Sequence, residues 1–216
     1  MKRVYSLFSV IILLCAACTT PQETATSEGP VALTEFTLTS TAFENEGNIP
    51  APYGQVPFEV PYDGYTFVCA AAAEGHQNLS PQFAWSGAPA GTVSFVLLMV
   101  DDIHYAYPEA PAGSFFGHWL VYNLPADTTE LPEGAAALGN LPQGTLQGVN
   151  DFPPPYNAGY GGPCPGVEEH LYIFTLYALD TTLDIAPDLA DLPTLQAALF
   201  GHILDQTELR GYFTGP

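Results

Sequence analysis

Two stretches constrain this fold more than any others: Val93-Ser-Phe-Val-Leu-Leu-Met-Val100 and Leu171-Tyr-Ile-Phe-Thr-Leu-Tyr-Ala-Leu179. Each is almost continuously apolar and rich in β-branched and aromatic residues, the pattern of a central strand buried on both faces. A sheet built around two such strands must be covered on both sides. Shorter β-forming runs recur at Phe36-Thr-Leu-Thr39, Gln82-Phe-Ala-Trp85 and Trp119-Leu-Val-Tyr-Asn123. Turn signals separate them, among them Ser86-Gly-Ala-Pro89, Pro125-Ala-Asp127 and Pro153-Pro-Pro155. The expected fold is therefore mainly β. One helix is expected near the C-terminus, where residues 194–204 place Leu195, Leu199, His202 and Ile203 on one stripe, with His202 packed on the helix face. Residues 51–75 are rich in proline and aromatics, and no conformation follows from them. Neither repeats nor a second domain can be found, so residues 35–216 read as one domain.

The N-terminus reads as an export signal. Lys2 and Arg3 precede the apolar centre Val10-Ile-Ile-Leu-Leu14, and Ala16-Ala17 lead into Cys18. Small residues directly before a cysteine resemble a bacterial lipoprotein signal. Residues 1–17 would then be removed and Cys18 would carry the lipid; an ordinary secretory signal or an uncleaved anchor is the alternative. Residues 18–34 lack apolar periodicity and suit a flexible tether. The expected location is the cell envelope, on a lipid anchor, with a secreted or periplasmic soluble form as the alternative. Loss of the signal leaves Arg210 as the one cation against 23 acids, a net charge of −22. Such acidity excludes nucleic acid as a partner and fits a protein working at high salt, where screening relieves self-repulsion. Two cysteines remain, Cys69 and Cys164. Outside the cytoplasm such a pair tends to oxidise, and a bridge between them would contribute about 4 kcal/mol on the chain-entropy model. Two buried free thiols are the other possibility.

The polar residues that carry chemistry sit against the apolar runs. Val100-Asp-Asp-Ile-His104 ends one of them, and Phe116-Gly-His-Trp119 leads into another. Tyr160-Gly-Gly-Pro-Cys-Pro165, a rigid loop, is followed by His170-Leu-Tyr172. A loop of this kind can aim successive backbone N–H groups into one concavity and so hold an anion without cations. Ile49-Pro50, Asn78-Leu-Ser-Pro81, Asn123-Leu-Pro125, Asn150-Asp151 and Gly201-His202 complete an ordered series. In this series the chain resembles the phosphatidylethanolamine-binding protein family, in its bacterial Raf-kinase-inhibitor-like branch, over about residues 35–216.

The resemblance implies an antiparallel β-sandwich with a few peripheral helices and a small anion pocket at one end. The matching pocket positions are Asp102, Phe116, His118, Gly162, Pro163, His170 and Tyr172. Phe116 stands where the family commonly has tryptophan. Two departures affect the charge balance. His104 and Tyr105 occupy the places of the family's second acid and following proline, and Leu171 replaces its arginine. Asp101 reads as a solvated strand-end acid, and His104 as either a loop residue or a substitute pocket group.

The expected ligands are phosphate-type anions or phospholipid headgroups, with acetate and sulfate also fitting. Backbone N–H groups of Gly161 and Gly162, together with ring N–H groups of His118 and His170, would donate to the anion. Asp102 would orient one imidazole. Affinity should then fall as pH rises. No cofactor is implied. A metal held by His104, His118, His170 and Asp102 lacks a short-spaced ligand pair to support it. Two other functions remain open: a hydrolase using His118 or His170 as general base, without a Gly-x-Ser-x-Gly elbow, and an envelope protein-interaction or inhibitor module.

Overall fold

The computed structural model describes residues 34–69, 75–137 and 139–215. The expected signal, the lipidation site at Cys18 and the tether as far as residue 33 lie outside the described residues. Six strands form the central sheet in the order β2 (Gly47–Asn48), β11 (Ile203–Thr214), β10 (Glu169–Leu179), β6 (Ser94–Asp102), β7 (Phe115–Pro125) and β9 (Leu146–Gln147). All neighbours are antiparallel except β11 and β2. A second sheet has three strands, β1 (Thr37–Thr39), β5 (Phe83–Ser86) and β8 (Glu130–Leu131). A hairpin of β3 (Phe58–Tyr62) and β4 (Tyr65–Cys69) forms a separate two-stranded sheet among the described residues.

The two apolar runs become β6 and β10, hydrogen-bonded neighbours at the centre of the large sheet. Their odd–even alternation now has a meaning. Phe95, Leu97, Met99, Phe174 and Leu176 pack against Leu38, Phe83, Trp85 and Leu131 of the small sheet, which makes the sandwich core. Val96, Leu98, Val100, Leu171 and Ile173 point the other way, into a core closed by Leu183, Ala190, Leu192, Leu195 and Leu199. The mainly-β sandwich expected from the sequence is thus observed. The central sheet is buried on both faces because helix α2 (Leu192–Leu199) and the segment before it cover the face away from the small sheet.

The C-terminal helix is shorter than its apolar stripe implied. Asp191 caps it, its carboxylate accepting the Thr194 N–H at 2.9 Å, and Pro193 lies inside the first turn, where its missing N–H costs nothing. The helix stops at Leu199, and Gly201 turns the chain with φ of +84°. His202 and Ile203 are therefore not on the helix. The half-exposed His202 side chain donates from Nδ1 to Asp180 at 2.8 Å instead of packing on a helix face. Residues from Ile203 onward form the longest strand, β11.

Candidate functional site: a small cavity at the end of the central sheet

The cavity lies where β6 ends and β10 begins. It has a volume of about 150 Å³ and is lined by Asp101, Ile103, Phe116, His118, Phe152, Cys164 and His170. Three cross-strand neighbours set its floor. Asp101 faces Tyr172 on β10 and Phe116 on β7, so the three side chains share one face of the sheet. His118 reaches the same face by an irregularity. Met99 pairs with Trp119 and Val100 with Gly117, leaving His118 as an extra residue, a β-bulge. Asp151 pins that bulge, its carboxylate accepting the Gly117 N–H at 2.6 Å and its own N–H donating to the Gly117 carbonyl at 2.9 Å.

Asp101, rather than Asp102, is the pocket acid. It is buried, 5% exposed, and its Oδ2 accepts from His170 Nδ1 at 2.6 Å. Asp102 has the opposite strand parity and caps the short helix α1 (Ile103–Ala106), accepting from the N–H groups of His104 and Tyr105. Both expectations for this acid pair are therefore reversed. His104 is neither a loop residue nor a pocket group: it lies in α1, outside the cavity lining, and its Nδ1 donates to the Ala110 carbonyl at 2.7 Å and pins the turn after the helix. Tyr107, from the same turn, lies edge-on to His170 with ring centroids 5.5 Å apart.

The glycine loop does not offer its amides to a ligand. Gly161 N–H donates to the His118 carbonyl at 2.9 Å, and Gly162 N–H to Asn78 Oδ1 at 2.7 Å. Pro163 accepts from Gln55 N–H through its carbonyl. Gly162 is glycine because any Cβ there would collide with the Tyr53 carbonyl and the Gln55 amide. Gly162 and Pro163 thus brace the site from behind, and the anion nest expected of them is spent on holding the fold. The Gly161 carbonyl has a direct role, accepting from His118 Nδ1 at 2.7 Å. Tyr172 lies fully buried beneath the cavity, with its ring 5.1 Å from that of His118 and 6.4 Å from that of His170. Ile103, Phe152 and Cys164 as walls, and Asp151 as the clamp on the bulge, are roles that only the folded chain reveals.

His170 Nε2, buried on a residue that lines the cavity, has no hydrogen-bond partner, while the Tyr172 phenol beneath is held by the Asp101 carboxylate and the Cys164 backbone. Buried polar atoms rarely stay unpaired, so the free ring nitrogen marks a place where something else binds. Burial, followed by the Asp101 carboxylate beside it, pushes the Tyr172 phenol well above its ordinary value, so it stays an O–H donor. Among the described residues Arg210 is the one Lys or Arg, and it pairs with Glu208 outside this lining. No three His, Cys, Asp or Glu side chains converge as metal ligands among the described residues.

A family model described as phosphatidylethanolamine-binding protein matches residues 39–214. The chain belongs to that family. A UPF0098 protein of Methanothermobacter thermautotrophicus is 36% identical over 176 residues, covering 82% of this chain and 97% of its own. The UPF0098 protein YbhB of Escherichia coli is 48% identical over 105 residues, 48% of this chain and 61% of that protein. The crystal structure of E. coli YbcL, described as a member of the mammalian PEBP family, superposes with a TM-score of 0.65 at 28% identity over 85% of this chain and all of that one. A PEBP homologue from Chlamydia trachomatis gives 0.62 at 27% identity, covering 84% of this chain and 98% of its own.

The buried imidazole at the bulge should set the acid limb of stability. Burial holds His118 below the ordinary histidine range, against the opposing pull of Asp101 and the Gly161 and Gly162 backbone. The unfolded chain protonates at about pH 6.5. Stability is therefore full above that value and falls as pH drops below it, because the unfolded state takes up the proton first. His118→Asn, whose amide can keep a donor to Gly161, should flatten this limb in urea unfolding followed against pH. An unchanged slope would exclude His118 as its source.

Proposed function

We propose that this protein is an exported, lipid-anchored binding protein whose cavity takes the phosphate-type head of a small ligand, either a free phosphomonoester or a phospholipid headgroup. The observation that carries this reading is the buried, unpaired His170 Nε2 on a small cavity that His118 also lines. Two imidazoles there suit an oxyanion, and the apolar walls Ile103, Phe116 and Phe152 exclude water around it. Titration calorimetry with inorganic phosphate and with O-phosphoethanolamine tests the reading. Binding to the wild type, weakened about 10- to 100-fold in His118→Ala, is expected from the loss of a buried hydrogen-bonding group. Equal binding by both proteins would refute it. Fractionation of Cys18→Ala should move the protein from membranes to the soluble fraction if the anchor reading holds.

A catalytic role has one observation in its favour. Asp101 orients His170 through Nδ1 and leaves Nε2 unpaired at the cavity, which is the arrangement of a general base. Ser80, whose Oγ accepts from the Ala136 N–H, lines a different cavity. Histidine-dependent turnover of esters or phosphoesters would favour the hydrolase over the binding protein.

A further inference from the structure

We infer that the end of the sandwich opposite the cavity is a membrane-docking face, which seats the domain on the leaflet holding its anchor and turns the cavity away from that leaflet. The inference rests on the lipid-anchor reading above and adds an orientation to it. It begins from an exposed apolar cluster. Phe200 is 89% exposed at the turn after α2, and Ile203 and Leu204 follow at 42% and 41% where β11 starts. Val93 joins them at 47%: its N–H donates to the Leu179 carbonyl, and Leu179 stands opposite Ile203. A Cβ at Gly91, in the turn leading to Val93, would touch Leu204. Large apolar side chains this exposed and this close together mark an interaction surface.

Two observations indicate what covers it. The described chain begins at the same end. Thr34 and Glu35 lie against Gly87, where any Cβ would strike the Glu35 carbonyl, and Phe36 packs on Phe95 near the start of β6. The segment joining Cys18 to Thr34 therefore meets the domain beside the apolar cluster. Fully extended, residues 19–33 would reach about 50 Å, long enough to let the domain roll over on a membrane. The tether alone would fix no orientation; an adjoining apolar surface held close to lipid does. Charge supplies the second observation. His202 is paired with Asp180, and Asp127 and Asp205 are exposed at this end. Arg210, the one Lys or Arg among the described residues, stands opposite Ile173 in the cavity half of β10. With no Lys or Arg to meet anionic headgroups, the face suits a zwitterionic surface. Asp101, on the cavity, lies near the far end of β6, roughly 25 Å from Val93 at the usual rise of a strand. A ligand then enters from the aqueous side, which favours a free phosphomonoester over a headgroup of the anchoring leaflet.

The test places a tryptophan at either end of the full-length, lipidated protein, held in phosphatidylcholine vesicles with brominated acyl chains that quench indole emission. Phe200→Trp marks the cluster. Val167→Trp, at a residue 77% exposed just before β10, marks the cavity end. Both positions are open to solvent, so neither substitution disturbs the core, and the wild type supplies the background because Trp85 and Trp119 are buried. The Phe200→Trp emission should shift to the blue and fall about 2-fold or more, as expected of a side chain seated roughly 5–10 Å into the interface. The Val167→Trp emission should be the same in brominated and plain lipid. Vesicle-bound protein with Phe200→Trp unquenched, or with the two reporters quenched alike, would overturn the inference and leave the anchor standing. Protein that does not float with the vesicles would overturn both.

Discussion

His170→Ala should cost about 3–5 kcal/mol of stability, because it removes the ring N–H that holds a buried carboxylate at 2.6 Å. In a domain of this size that corresponds to a fall in Tm of roughly 6–20 °C. Both side chains are 6% exposed, so solvent offers Asp101 little relief once its donor is gone. The cost belongs to the broken pair, not to the pair as such. Asp101→Leu combined with His170→Phe removes the charge and its donor together, and most of the lost stability should return. Binding of phosphate should vanish in both proteins. The decisive measurement is the double-mutant cycle by chemical unfolding. A single substitution costing under about 1 kcal/mol, or a double as unstable as the single, would mean that the carboxylate finds another partner and that this dyad does not organise the site.

The same dyad shows where reading the chain reached its limit. The central strands were legible because their apolar density is unusual, and the mainly-β architecture followed from them. That uniform density also hid the phase of β6. With both faces buried, nothing in 93–100 says which of Asp101 and Asp102 shares a face with the pocket. Pairing decides it: Tyr172 stands opposite Asp101, and His170 lies two residues further along the same face of β10. His118 escaped a parity argument for a different reason, since the bulge at Gly117 adds a residue to β7. The strand β11 is not legible in the sequence because its first half is mostly exposed and polar, without the alternation that marks a half-buried strand. The loop at 160–165 is conspicuous in the sequence, but its amides serve the fold and not a ligand. Composition cannot reveal that Asn78 and the His118 carbonyl already occupy those amides.

Removing the bridge between β4 and the pocket wall should have an effect of similar size by another route. Cys69 ends β4 and is bonded to Cys164, which lines the cavity. The β3–β4 hairpin is a two-stranded sheet, an arrangement that is marginal alone in water. The bridge and a small aromatic cluster tie it to the domain; in the cluster Phe58 stacks on Tyr156 at 3.8 Å and meets Phe152 edge-on at 5.7 Å. The bridge closes a loop with a sequence separation of 95 residues. Cys69→Ala with Cys164→Ala should therefore lower stability by about 4 kcal/mol through the freer unfolded chain, and Tm by roughly 8–16 °C. A local effect should accompany the global one. Phe152 belongs both to the aromatic cluster and to the cavity lining, so loosening the hairpin frees one wall of the site. Amide exchange in residues 58–69 should accelerate more than in β6 and β10, and phosphate affinity should fall even where the variant remains folded. An unchanged Tm, or exchange rising evenly across the domain with affinity intact, would show that the hairpin is carried by its aromatic contacts and that the bridge does not shape the cavity.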